Sequence, residues 1–177
     1  MLNTENNELL KVILGRKSVR VFTGEKMDKE TVNLLIRAGM AAPSSMNKQP
    51  WSFIGITDRA ILNELGDGLP YAKMLKQAGA AIVVCGSPDF ENAELRDYWV
   101  QDCSAATENI LLAVEAIGLG AVWTGVFPRK DRLDYVRKTL KIPPEYLPLN
   151  VLAIGQPATL TQPKDKYISE KIHWDCW

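Results

Sequence analysis

The chain carries no excess charge of either sign. Lys plus Arg and Asp plus Glu number 21 each among its 177 residues. A net charge of zero argues against a nucleic-acid-binding domain and against an anionic-membrane binder, so any basic site must be a local cluster. Histidine occurs once, at His173. One histidine without a ligand cluster gives no metal centre, and His173 reads as a residue that packs the tail. The three cysteines, Cys85, Cys103 and Cys176, lie far apart with no C-x-x-C. A disulfide framework is therefore not expected, and Cys85 and Cys103, in apolar surroundings, read as core thiols. Residues 1–7 have neither the basic nor the apolar run of a signal peptide. No apolar run is long enough to span a bilayer, so the expectation is a cytoplasmic chain. There is no G-x-G-x-x-G, and no Ser-His-Asp or Cys-His set can be assembled. Those absences remove a Rossmann dinucleotide site and a nucleophilic hydrolase.

What remains is a chain suited to one domain, residues 1–177. Roughly 70% of the unfolded surface is buried at this length, so the core needs no staples. Leu9, Leu10, Ile13 and Leu14 predict a helix over 5–14 that Gly15 ends. Asp28 opens a helix with Thr31, Val32, Leu35, Ile36 and Gly39 on one face. Residues 51–57 read as a strand, and Asp58 as the N-cap of a short helix through residue 65. Gly66-Asp67-Gly68 reads as a turn, 71–77 as a short helix and 80–85 as a buried strand. The longest helical stretch is 92–117, apolar on more than one face and therefore central. A strand over 121–126, a helix over 130–140 closed by Pro143-Pro144, and a strand over 149–154 follow. Residues 156–177 have little periodicity yet hold Tyr167, Ile172, Trp174 and Trp177, an arm that needs a surface to lie on. Helices interleaved with four short strands predict an α+β layered domain, with parallel βαβ winding as the alternative.

The chemistry concentrates in Ala41-Ala42-Pro43-Ser44-Ser45-Met46-Asn47-Lys48-Gln49-Pro50-Trp51. Pro43 and Pro50 disfavour helix before them, so this is a turn-rich loop between a helix and a strand. Its hydroxyls, carboxamides and indole fit a binding loop, and they fit a plain polar connection equally. Arg16 and Ser18 alternate along an extended segment and can face one side. Asp102 and Asn109 lie two helical turns apart on one face and read as structural hydrogen-bonding groups.

Four segments, taken in order, resemble the FMN-dependent nitroreductase family. They are Arg16-Lys17-Ser18-Val19-Arg20, the Ala42-to-Trp51 loop, the helix from Gln101-Asp102 through Asn109 to Gly118-Leu119-Gly120, and Gly155-Gln156-Pro157 followed by Lys164-Asp165-Lys166-Tyr167. The resemblance implies the nitroreductase fold: a mostly antiparallel sheet flanked by helices, in an intertwined homodimer with the 156–177 arm on the partner subunit. It implies bound FMN and NAD(P)H as donor. Arg16 and Ser18 would serve the phosphate and ribityl end with Lys164 and Lys166, and Lys17 would belong to the same flavin-binding run. Lys166 replaces the family's arginine, keeping the charge and losing the planar fork. Arg20 and Lys73 would face the pyrimidine edge of the flavin, where a cation favours the reduced ring. Pro43, Ser44, Ser45 and Met46 would wrap the flavin of the second subunit, with Asn47 and Gln49 tying the loop down. The backbone of Thr124, Gly125 and Val126 would approach flavin N5 and O4. Pro70 departs from the amide side chain usual near that position. The implied activity is reduction of a nitroaromatic, quinone or similar acceptor by a ping-pong mechanism. Alternatives are reductive dehalogenation or flavin cleavage on the same fold, and a non-catalytic flavin-storage dimer.

Overall fold

A computed structural model of the chain describes residues 7–89, 92, 95–159 and 161–177. Helix α1 (Glu8–Gly15) starts where Asn7 accepts the Leu9 and Leu10 amides, so Asn7 is its cap. Helix α2 (Lys29–Met40) starts at Asp28 as expected. The Thr31 amide and hydroxyl, at 2.6 and 3.0 Å, hold the Asp28 carboxyl below the usual carboxylate range. Strand β1 (Trp51–Ile56), α3 (Arg59–Gly68), β2 (Ala80–Gly86), α4 (Tyr98–Ala116), β3 (Gly120–Gly125), α5 (Lys130–Leu140) and β4 (Leu147–Gly155) follow. The sheet order is β1-β2-β4-β3 and every pair is antiparallel. The antiparallel expectation therefore holds, and the parallel βαβ alternative does not.

The sheet is covered on both faces, which is why β2 is buried along its whole length. On one face Leu62 and Leu65 of α3, Leu75 and Val136 of α5 pack with Val83 and Val151. On the other, Leu35 of α2 and Ile110 and Val114 of α4 pack with Ile82 and Leu152. The all-round apolar helix is central as its composition requires. Cys103 Sγ donates to the Cys85 carbonyl at 3.5 Å, and burial pushes both thiols up to about 12, so they are core thiols.

Three expected boundaries are corrected. Gly66-Asp67-Gly68 is not a turn but the last part of α3. Its glycines serve close approach: a Cβ on Gly68 would stand inside the Tyr135 ring, whose hydroxyl donates to the Glu64 carbonyl at 2.7 Å. The helix expected over 71–77 is a 3-10 helix, Lys73–Gln77, preceded by Tyr71 at a left-handed φ of 60°. The stretch from residue 92 becomes regular only at Tyr98, after a turn over 95–97; residues 93 and 94 lie outside the described residues. Among the described residues no helix is long and apolar enough to cross a membrane.

Candidate functional site

Residues 16–20 run extended beside β3, where the Val19 amide donates to the Ala121 carbonyl at 2.9 Å. A Cβ on Gly120 would meet Val19 Cβ at 2.7 Å, so glycine there lets the connector lie close. Extended backbone sends alternate side chains to opposite sides. Val19 is buried, and Lys17 Nζ pairs with Glu115 Oε1 at 2.7 Å. Ser18 and Arg20 are exposed on the other side. Arg16 Nε pairs with Glu108 Oε1 at 3.1 Å. Arg16 and Lys17 thus both lie against α4, apart from the exposed Ser18 and Arg20 with which they were grouped. Arg20 has no ion pair among the described residues.

Lys73 opens the 3-10 helix Lys73–Gln77, exposed and likewise without an ion pair among the described residues. Sequence reasoning missed what holds this turn. Arg59 donates to the carbonyls of Lys76 at 2.8 Å and Ala78 at 2.6 Å, and more weakly to that of Leu75. A guanidinium satisfying the last carbonyls of a short helix fixes the end opposite Lys73. Pro70 is exposed and has no amide to donate.

At the end of β3, Thr124 and Val126 are buried. Between them, no atom beyond its chain neighbours lies within 4 Å of where a Cβ of Gly125 would stand. The Gly125 carbonyl accepts from Arg132 Nη1 at 2.8 Å, a second positioning contact that no local pattern announced.

The loop after α2 has an unusual backbone. Met46, Asn47 and Gln49 all take left-handed φ, at 49°, 55° and 49°. Each such non-glycine residue costs on the order of 1 kcal/mol and persists only where its surroundings over-determine it. The Ser45 amide donates to Asp102 Oδ1 at 2.9 Å, and the Gln49 amide to Ser44 Oγ at 2.9 Å. Lys48 Nζ reaches Asp89 Oδ2 at 2.6 Å. Asn47 and Gln49, expected to tie the loop down, are exposed in the single chain, where Ser44 and Asp102 accept the loop's amides. Asn109 donates to the Ala38 carbonyl at 3.1 Å, so Asp102 and Asn109 are structural hydrogen-bonding groups as read from their spacing. Pro43 and Met46 are exposed, and Ser44 and Ser45 half-buried.

Lys164 and Lys166 line a cleft of about 540 Å³ with Ile13 and Leu14 of α1, immediately before Arg16 in the chain. The structure therefore brings the arm's lysines to the end of α1, which leads into the connector. The connector, the Lys73 turn and the end of β3 share a layer, since Val19, Leu75 and Val126 belong to one core cluster. The 43–49 loop does not join them. Its anchor is α4, on the opposite face of the sheet.

The nitroreductase family model matches residues 13–69 and 65–156, most of the chain. The chain belongs to the nitroreductase family. A curated relative from Archaeoglobus fulgidus, a candidate NADH dehydrogenase/NAD(P)H nitroreductase, is 40% identical over 96% of this chain and 99% of its own length. A solved structure of a protein so described from Parabacteroides distasonis is 49% identical, covers 97% of this chain and 100% of its own, and superposes with a TM-score of 0.90. An FMN-dependent nitroreductase from Clostridium difficile is 26% identical over 95% of this chain and 99% of its own, with a TM-score of 0.86. The nitroreductase match takes in the connector, the loop, Lys73 and Thr124-Gly125-Val126, and ends before Lys164 and Lys166.

Proposed function

We propose that this nitroreductase-family chain is an FMN-dependent oxidoreductase that draws on NAD(P)H to reduce a nitroaromatic, quinone or similar acceptor, the two substrates using one site in ping-pong order. The names of its relatives support the donor and the cofactor. The observation that carries the reading is the layer shared by the connector, the Lys73 turn and Gly125, with Arg20 and Lys73 exposed and free of ion pairs among the described residues.

These residues fit FMN. Gly125 offers backbone with nothing standing where a side chain would be, which a flat ring requires. Arg16, Ser18, Lys164 and Lys166 would hold the phosphate; Arg suits it by its fork, the lysines by point charge. Arg20 and Lys73 would supply positive charge at the other end of the cofactor. Arg16 pairs with Glu108 through Nε, leaving its terminal donors for the phosphate, whereas Lys17, whose single ammonium pairs with Glu115, would contribute to the local field only. Bound FMN supplies two-electron transfer between a nicotinamide donor and an acceptor. The chain binds and orients it: Arg132 fixes the Gly125 carbonyl, and Arg59 fixes the turn that carries Lys73.

A single chain presents Lys73 and the Ser44–Met46 segment on opposite layers, so the loop serves the flavin of a second copy. The protein is then a single-domain homodimer with the 156–177 arm laid across the partner, working in the cytoplasm. α1 supports this: Leu9, Ile13 and Leu14 are exposed, and none of the helix is buried in its own chain. Mass spectrometry of cofactor released by heat tests the reading. One FMN per chain is expected. FAD, or no uptake after soaking with FMN, would refute it.

A further inference from the structure

The strained loop raises a question that the cofactor contacts do not answer: what keeps Met46, Asn47 and Gln49 in left-handed backbone in one chain, before any ligand is considered. Relaxation toward right-handed conformations is downhill for all three. The Gln49 amide on Ser44 Oγ closes the loop on itself but does not attach it to anything. The Lys48–Asp89 ion pair attaches it through an exposed lysine, and exposed pairs contribute little. Asp102 differs. It reaches out of α4, is only 7% exposed, and takes the Ser45 amide at 2.9 Å. A buried carboxylate accepting a backbone amide is a strong, charge-assisted bond.

Resting on the FMN reading above, we infer that Asp102 is a positioning residue for the cofactor. It preforms the 44–49 loop, so that Pro43, Ser44, Ser45 and Met46 meet the flavin without first being ordered. The carboxylate itself touches no cofactor; it acts through the Ser45 amide. A segment already held in its bound conformation gives up less freedom on binding. Loss of the acceptor frees the loop, and each binding event must then reimpose three left-handed residues.

Asp102→Leu keeps the side-chain size and removes the acceptor. Asp102→Asn keeps an oxygen that can accept the Ser45 amide. Four quantities are measured: amide exchange at Ser45 and Gln49 in flavin-free protein, the Kd for FMN by fluorescence titration, the melting temperature and the sedimentation coefficient. In Asp102→Leu the two amides are expected to lose protection and the Kd to rise roughly tenfold or more, tenfold being about 1.4 kcal/mol. Asp102→Asn is expected to lie between wild type and Asp102→Leu, since the acceptor survives but its charge does not. A purely structural role would instead lower the melting temperature and leave the Kd of the folded protein unmoved. A wild-type Kd in Asp102→Leu overturns the inference, as does an Asp102→Asn protein as weak as Asp102→Leu. If the leucine variant does not fold, Asp102→Ala makes the same comparison with a smaller side chain. A wild-type protein that takes up no FMN refutes the functional reading, whereas unchanged exchange at Ser45 in Asp102→Leu refutes this inference whether or not flavin binds.

Discussion

Truncation before residue 161 is expected to leave a folded monomer that holds no FMN. Residues 161–177 are exposed throughout, Trp177 at 99% and Trp174 at 83%, so they add nothing to the core of their own chain. The two core clusters contain no residue beyond Ile154, and the four strands end at Gly155. Folding of the single chain should therefore survive. The proposed dimer should not. Tyr167, Ile172, Trp174 and Trp177, buried against a partner, together represent roughly 6–12 kcal/mol of gross apolar burial at about 1.5–3 kcal/mol per large side chain. Removing that amount moves a dimer constant by several powers of ten. Flavin should leave with the partner, because in the proposed dimer the Ser44–Met46 segment would come from the second copy and because Lys164 and Lys166 go with the arm. Sedimentation and absorbance of the truncated protein read both effects at once. A flavin-loaded dimer would contradict the account of the arm, and a flavin-loaded monomer the account of the shared site.

The second large effect separates two cations proposed to lie at opposite ends of the cofactor. Lys73→Met keeps the apolar stem and removes the charge. Reduction adds negative charge to the ring, so a cation beside it stabilises the reduced form more than the oxidised one, a differential interaction. The loss of one partly solvated charge contact is worth on the order of 1.5–3 kcal/mol. Since roughly 30 mV corresponds to about 1.4 kcal/mol for a two-electron couple, the midpoint potential should fall by tens of millivolts. Reduction by NAD(P)H should slow in step. Arg16→Met should behave differently. Its partner Glu108 is half-exposed and solvated, so leaving it unpaired has little effect on stability. FMN should bind more weakly, yet the potential of the loaded protein should barely move, because the phosphate keeps its charge on reduction. Photoreduction titrations of the two variants measure the contrast. Equal shifts in both, or none in Lys73→Met, would show that the two cations are not at opposite ends.

Much of the fold was legible because its signals are local. Asp28 and Asp58 accept the amides two or three residues ahead, and a short-range cap is written in short-range sequence. The unbroken apolar run of β2 and the amphipathic period of α5 are equally local, and both elements appear where those patterns place them. Gly66-Asp67-Gly68 misled for the opposite reason. Two glycines in three residues look like a turn, whereas here they make room for Lys76 and Tyr135, neighbours that only the tertiary structure brings. The candidate site divides in the same way. Its cations and its loop are readable as residue types in order along the chain. Arg59 on the Ala78 carbonyl, Arg132 on the Gly125 carbonyl and Asp102 on the Ser45 amide are not, because each joins separate elements through a backbone group that has no sequence signature. The opposite layers of Lys73 and the 43–49 loop likewise come from which face of the sheet the 3-10 helix and α4 cover, which strand patterns alone leave open.

The central claim is that this chain passes electrons from a nicotinamide nucleotide, through bound FMN, to an acceptor. Anaerobic rapid mixing of the FMN-loaded protein with NADH and, separately, with NADPH tests it most directly, followed by addition of a quinone. The account predicts bleaching of the flavin absorbance by at least one nucleotide and its full return with the quinone. A flavin that dithionite bleaches but neither nucleotide does would contradict it and leave a storage dimer in its place.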